Sequence, residues 1–167
     1  MTATGPPALP GPPSAADARL PAPEELRTWR RYLLANARIT RILEAELVAA
    51  QDMTLAAYDV LVQLSEAPGR TLRMTELAQA VLLSRSGVTR LVERLELAHL
   101  VRRVPAPGDG RGVQALLTNV GQTRLEAAAR VHLAGVFAHF VLPLGASGLA
   151  HLDAALATLL DGTRQAQ

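Results

Sequence analysis

The chain has 167 residues, 49% of them apolar, and a formal net charge of only +2. This length and apolar content suit a single domain with additional helices around a hydrophobic core. The sequence has no cysteine, which excludes disulfides, iron–sulfur clusters and thiol chemistry, and all 17 of its cationic side chains are arginines.

The N-terminal segment, residues 1–23, is predicted to be a disordered, proline-rich arm. It holds seven of the eleven prolines and almost no large apolar side chain. Such a segment buries too little surface to offset the entropy lost on ordering. Its only cation is Arg19, so an arm that contacts DNA is the less favoured interpretation.

Residues 24–50 are predicted to form a long helix. Pro23 followed by Glu24 and Glu25 is a favourable start, because proline fits the first turn and acidic side chains complement the helix dipole. Apolar residues then recur at helical spacing from Leu26 to Leu47. A long helix of this kind needs a partner surface, and we predict that it serves dimerisation.

The pattern of residues 51–118 predicts a winged helix-turn-helix. Thr54 is a favourable N-cap, and Pro68 with Gly69 ends the helix that it starts. The predicted elements, in order, are a helix over 55–67, an extended link over 71–73, helices over about 75–82 and 84–98, and strands over 101–105 and 113–117. The loop between the two strands is rich in turn residues, as expected of a wing.

Residues 119–167 are predicted to form C-terminal dimerisation helices. A long helix is expected from Thr118 to about Leu142, where Pro143 ends it, and a last helix from about Ser147 to Leu160. The predicted fold class is therefore mainly α with a small β wing: a winged helix-turn-helix with dimerisation helices at both ends.

The helix predicted from Ser84 is amphipathic. Its apolar side is formed by Val88, Leu91, Val92 and Leu95, and its polar side by Ser86, Thr89, Arg90 and Glu93, with Arg85 and Arg94 at the edges. Small hydroxyl side chains allow a helix to approach the major groove, and arginines can bind guanine edges or phosphates. An ordinary solvated helix face is the alternative, since polar helix faces are common.

The charge distribution favours the DNA-binding interpretation. Residues 84–112 hold six arginines and three acidic residues, a net charge of +3 that exceeds the charge of the whole chain. Arg111 lies at the predicted wing tip, from which it could enter the minor groove with Asp109 holding it in place. The alternative for Asp109-Gly110 is a plain β-turn.

These residues together resemble the MarR family of bacterial regulators. The resemblance is carried by "LAAYDVLVQLSEAPGRTLRMTELAQAVLLSRSGVTRLVERLELAHLVRR" and "DGRGVQALLT", and it covers all but the proline-rich arm. It implies a homodimer with intertwined terminal helices that binds a palindromic operator, most simply as a repressor. The residues expected to contact double-stranded DNA are Ser84, Arg85, Ser86, Thr89, Arg90, Arg94, Arg102, Arg103, Asp109 and Arg111. Gly110 and Gly112 depart from the family pattern and weaken the expected grip of the wing.

The resemblance also implies a pocket for a small aromatic or phenolic effector. Its candidate lining residues are Trp29, Tyr32, Arg38, Tyr58, Asp59, His132 and Phe137. The alternative is that the aromatic side chains serve core or dimer packing, since aromatic residues at helical spacing are usually core.

Other classes of function are less favoured. No catalytic, phosphate-binding or metal motif stands out, so we expect no enzyme, no cofactor and no metal site; His132 and His139 are about 10 Å apart along a helix, too far to share an ion. A protein-binding winged helix would not need the arginines of residues 84–112. We find no run of about 18 uncharged apolar residues and no secretory leader, so we expect no membrane span and a cytoplasmic location.

Overall fold

The computed structural model describes residues 19–81, 83–106 and 112–164. These fall into two compact units, one of residues 38–140 and one of residues 19–37 together with 141–164. Most of the predicted proline-rich arm, and the wing tip with Asp109 and Arg111, lie outside the described residues.

The described elements follow the predicted order. They are α1 (Pro23–Gln51), α2 (Leu55–Glu66), β1 (Thr71–Arg73), α3 (Met74–Ala80), α4 (Arg85–Leu97), β2 (Val101–Pro105), β3 (Val113–Leu117), α5 (Asn119–Val136) and α6 (Leu142–Arg164), with a 3₁₀ turn at Pro68–Arg70 and a π-helical segment at Phe137–Val141. The predicted fold class, mainly α with a small β wing, is confirmed.

Helix starts depend on side chains that accept hydrogen bonds from free backbone N–H groups. The Thr54 hydroxyl accepts from the Ala57 N–H at 3.2 Å, which confirms the predicted N-cap of α2. The Glu44 carboxylate on α1 accepts from the Leu55 N–H at 2.6 Å, so α1 also caps α2. These bonds connect the end of α1 to the helix-turn-helix.

The wing belongs to a three-stranded antiparallel sheet with the strand order β1-β3-β2. Segment 71–73, predicted only as an extended link, pairs with β3, and Leu72 lies opposite Ala115. The bounds of β2 and β3 agree with the predicted strands, and Arg103 lies opposite Ala115 on the other side of β3. This order leaves β2 as an edge strand.

One hydrophobic core fills the space between the end of α1, α2, α3, α4, α5 and the sheet. Its fully buried large side chains are Leu47, Val60, Leu61, Leu64, Leu77, Val88, Val92 and Val101. Burial of each such side chain contributes about 1.5–3 kcal/mol. Since Val88 and Val92 belong to α4, the core determines which side of that helix faces out.

The C-terminal helices break close to the predicted position. The backbone leaves helical geometry at Gly145, with φ 61° and ψ 179°, between the predicted end near Leu142 and the predicted start near Ser147. Glycine adopts positive φ without the strain of a Cβ, so the break falls there. The π-helical turns Phe137–Val141, which precede the break, were not predicted.

The expectation that the chain holds no long uncharged apolar run is wrong, whereas the expectation of no membrane span stays a prediction. Among the described residues, one helical stretch, Asn119–Gly162, is long and apolar enough, and almost none of its apolar window is buried in the single chain. Length and composition alone are weak evidence for a span, and the backbone break at Gly145 interrupts the stretch. An exposed apolar helix can equally be a surface for a partner chain.

Candidate nucleic-acid interface

The predicted polar side of α4 is exposed in the structure. Val88, Leu91, Val92 and Leu95 are at most 5% exposed and face the core. The opposite side is not covered by the protein; it holds Ser84, Arg85, Ser86, Thr89, Arg90 and Arg94, together with Glu93, all exposed. The sequence prediction of an outward-facing serine and arginine surface is therefore confirmed for the single chain.

The start of α4 is held by Ser84. Its hydroxyl accepts a hydrogen bond from the Gly87 N–H at 3.1 Å and lies 3.2 Å from the Ser86 hydroxyl. Thr89 donates to the Arg85 carbonyl at 2.9 Å. These bonds keep the hydroxyl groups close to the helix, so they project less far from it than the arginine side chains do.

Three exposed arginines project from α4 without an ion pair in the described part of the chain: Arg85, Arg90 and Arg94. A guanidinium is charged at every physiological pH and can donate two parallel hydrogen bonds to a guanine edge or a phosphate. This side of α4 can thus supply both positive charge and directed donors.

The two arginines of β2, Arg102 and Arg103, have different environments. Arg102 is exposed and has no ion pair among the described residues, and strand alternation places it on the opposite face from Arg103. Arg103 instead turns back to α4, where its Nε donates to Glu96 at 2.7 Å and one terminal nitrogen lies 3.4 Å from Glu93. Arg103 is thus already engaged within the protein.

The Glu96 carboxylate also accepts a hydrogen bond from the Arg103 backbone N–H, at 2.8 Å. That bond, followed by the bond and charge of the Arg103 side chain, lowers the pKa of Glu96 below its ordinary value of 4.5. The two bonds between Glu96 and Arg103, called the tether below, were not predicted from the sequence, although Glu93 and Glu96 lie one turn apart and the chain reverses direction before Arg103.

An open groove of about 550 Å³ lies between α4 and the wing, with Thr89, Arg103 and Val113 in its lining.

The candidate effector residues form two local aromatic contacts. Trp29 stacks on Tyr32 with ring centroids 5.8 Å apart, and in the other unit Tyr58 packs against His132 at 4.6 Å. Nδ1 of His132 is buried and has no hydrogen-bond partner among the described residues. Arg38 and Phe137 are exposed.

Asp59 follows Tyr58 on α2 and interacts electrostatically with His132. Although its surface is largely accessible, the protein around its carboxyl group partly desolvates it, which raises its pKa; His132 acts in the opposite direction and Glu44 in the same one. Burial also raises the pKa of the Tyr58 hydroxyl. Among residues 19–81, 83–106 and 112–164, no three His, Asp or Glu side chains are grouped as metal ligands would be.

Another contact that sequence reasoning missed joins α1 to the π-helical segment. Nε2 of His139 lies 2.7 Å from a carboxylate oxygen of Glu46. Gly135 permits this approach, because a Cβ there would lie 2.5 Å from Glu46 and 2.7 Å from Leu43. Neither contact is apparent from helical spacing, since the residues are far apart in sequence.

The fold and the exposed side of α4 define a winged helix-turn-helix protein of the DNA-binding class. A family model described as the MarR family matches residues 51–112. The AbsC MarR family transcriptional regulator from Streptomyces coelicolor is 34% identical, with a TM-score of 0.79, over 89% of this chain and 99% of that one. The chain belongs to the MarR family of transcriptional regulators, whose members are not enzymes.

Two further similar structures contain DNA. Sco3205, a MarR family transcriptional regulator from Streptomyces coelicolor in complex with DNA, is 33% identical with a TM-score of 0.81, over 87% of this chain and 91% of that one. A mutant MarR from E. coli complexed with operator DNA is 26% identical with a TM-score of 0.72, over 82% and 96% of the two chains. No curated protein matches the chain.

Proposed function

We propose that the protein is a sequence-specific repressor that binds double-stranded DNA as a homodimer on a palindromic operator and responds to a small aromatic ligand. The observation that carries the proposal is the exposed serine and arginine side of α4, opposite a fully packed apolar side. Arg85 and Arg90 supply donors for base edges or phosphates, and Arg102 adds a charge from the wing. The DNA complexes of Sco3205 and E. coli MarR support this use of the fold.

The homodimer is supported by apolar side chains exposed on the flanking helices. They are Leu26, Trp29, Tyr32, Leu33 and Leu34 on α1, and Leu142, Leu144 and Leu159 on α6. A soluble monomer rarely exposes so many large apolar residues, and a second copy of the chain would cover them. Sedimentation equilibrium should give twice the 17.7 kDa of one chain.

The proposed ligand response is supported by the contact between Tyr58 and His132. A buried Nδ1 without a partner is costly, and a ligand with a polar group could satisfy it while the rings pack against an aromatic body. Screening of small aromatic acids for release of bound DNA tests this part separately. Core packing alone predicts that none of them changes DNA affinity.

Selection from random double-stranded DNA with the purified protein tests the central proposal. We expect enrichment of one inverted-repeat sequence and an affinity that falls steeply with salt, as counterion release requires. Enrichment of no sequence, or binding that is insensitive to salt, would instead favour a protein partner for the winged helix.

A further inference from the structure

Arg103 occupies an unusual position in the predicted DNA surface, because it is exposed yet bound to Glu96 through both its backbone and its side chain. β2 is an edge strand, so an outward N–H on it has no strand to pair with. The Arg103 N–H and Nε both donate to the Glu96 carboxylate, at 2.8 and 2.7 Å. One carboxylate therefore holds the backbone and the side chain of a single wing residue.

The tether connects the two elements that would contact DNA. Glu96 belongs to α4, whose other side holds the exposed serines and arginines, and Arg103 lies in the strand that leads to the wing tip. Arg103 and Thr89 line the open groove between these elements. The Glu96–Arg103 bonds therefore restrain the angle between α4 and the wing.

A phosphate contact through Nε of Arg103 would require the side chain to leave Glu96, and a contact through its terminal nitrogens would share a guanidinium that already lies against two carboxylates. Departure of the side chain would break the Nε bond of 2.7 Å and leave Glu96, beside a polyanion, with the Arg103 backbone N–H as its remaining partner in the described chain. Arg102, on the opposite face of β2, has no such competing partner in the described chain. The two neighbouring arginines are thus suited to different tasks.

We propose that Arg103 is a positioning residue that ties the wing to α4 through Glu96, and that it sets the geometry of the DNA surface rather than contacting DNA. This inference rests on the proposed DNA-binding function. It replaces the prediction, made from the sequence, that Arg102 and Arg103 act alike.

Glu96→Ala distinguishes a positioning role of Arg103 from a phosphate contact, because the two roles predict opposite changes in DNA affinity. Glu96→Ala deletes a negative charge close to DNA, so it should strengthen binding if Arg103 were a phosphate contact restrained by Glu96. If Arg103 positions the wing, Glu96→Ala should weaken binding about three- to tenfold, and Arg103→Gln, which keeps the backbone bond, should weaken it less. The double variant should be no weaker than Glu96→Ala alone, because Glu96→Ala already removes both bonds of the tether.

Glu93→Ala and Arg102→Gln are the matched controls for Glu96→Ala and Arg103→Gln. DNA binding by all four variants is measured on the inverted-repeat duplex that the wild-type protein enriches. Glu93→Ala removes an acid one turn away that receives only a contact of 3.4 Å, and it should not weaken binding. Arg102→Gln should weaken binding and reduce the salt slope by about 0.9, whereas Arg103→Gln should leave the slope unchanged. Tighter binding by Glu96→Ala, or a slope reduced by Arg103→Gln, would overturn the positioning role.

Hydrogen exchange in the protein without DNA separates the two proposals. Glu96→Ala should accelerate amide exchange at residues 101–104 of β2 while thermal unfolding shows that the variant is folded. Unchanged exchange there rejects the tether, even if the wild-type protein selects an operator. If the wild-type protein selects no DNA, the proposed function fails and the positioning role fails with it, whatever the exchange shows.

Discussion

The backbone of Gly121 at the start of α5 lies directly against the carbonyl oxygen of Leu100. A Cβ at Gly121 would overlap that oxygen and lie 2.7 Å from the Leu117 side chain. The Leu100 carbonyl also accepts from the Thr118 N–H at 3.1 Å, and the Thr118 hydroxyl caps α5 by accepting from the Gly121 N–H at 2.9 Å. The turn after α4, the end of β3 and the start of α5 therefore meet at one position with no spare volume.

Gly121→Ala should destabilise the protein by at least about 2 kcal/mol, because the obstacle is backbone that cannot rotate away. Urea unfolding followed by circular dichroism measures the change. Gly162→Ala is the matched control: nothing lies within 4 Å of its added Cβ, and replacing helical glycine by alanine should be neutral or stabilise by up to about 1 kcal/mol. Equal effects of the two substitutions would refute the steric explanation.

His99→Gly should stabilise the protein. His99 follows α4 with φ 60°, a left-handed conformation that glycine adopts more easily than histidine. Its side chain is exposed, so little packing is lost, and the hydrogen bond from the Thr118 hydroxyl to its carbonyl, at 2.8 Å, does not depend on the side chain. We expect a gain of about 0.5–1 kcal/mol in the free energy of unfolding, measured by the same urea titration; a loss would show that the imidazole makes a stabilising contact.

The sequence was sufficient to predict features determined by local chemistry. Thr54 as an N-cap, the buried and exposed sides of α4, and the bounds of β2 and β3 follow from side-chain type and spacing within a few residues. The same reasoning placed the break between the C-terminal helices at Pro143, two residues before Gly145, because the exact position depends on where a glycine offers an easier place to leave helical geometry.

Features that depend on distant parts of the chain were not predictable. Gly121 lies within the helix predicted from Thr118, and only the fold brings Leu100 against it. Arg102 and Arg103 looked equivalent as a charged pair, and only the reversal of the chain after α4 turns one of them back to Glu96. Side-chain type indicated a charged DNA surface but not which charges remain free within it.

Arg90→Ala should weaken operator binding by about 1–3 kcal/mol, because Arg90 is exposed on the outward side of α4. Arg90→Lys distinguishes the kind of contact. A lysine keeps the charge but loses the paired donors, so a phosphate contact should largely survive it, whereas a guanine contact should be lost and specificity at one base pair relaxed. Gel-shift titrations on the selected duplex and on single-base variants measure both effects. Unchanged affinity in Arg90→Ala would remove this residue from the interface.

Acidification should release the wing from α4. The pKa of Glu96 is lowered in the folded protein by the bonds from Arg103, so the tether is fully present above the unfolded value of 4.5 and is lost as the pH falls through the lower folded value. The ¹⁵N chemical shift of the Arg103 amide, followed by NMR from neutral to acid pH, should therefore report a titration below 4.5. In Arg103→Gln, which lacks the side-chain part of the tether, the midpoint at Glu96 should move up towards 4.5. A midpoint that is the same in both proteins would mean that the Arg103 side chain does not stabilise the Glu96 carboxylate in solution.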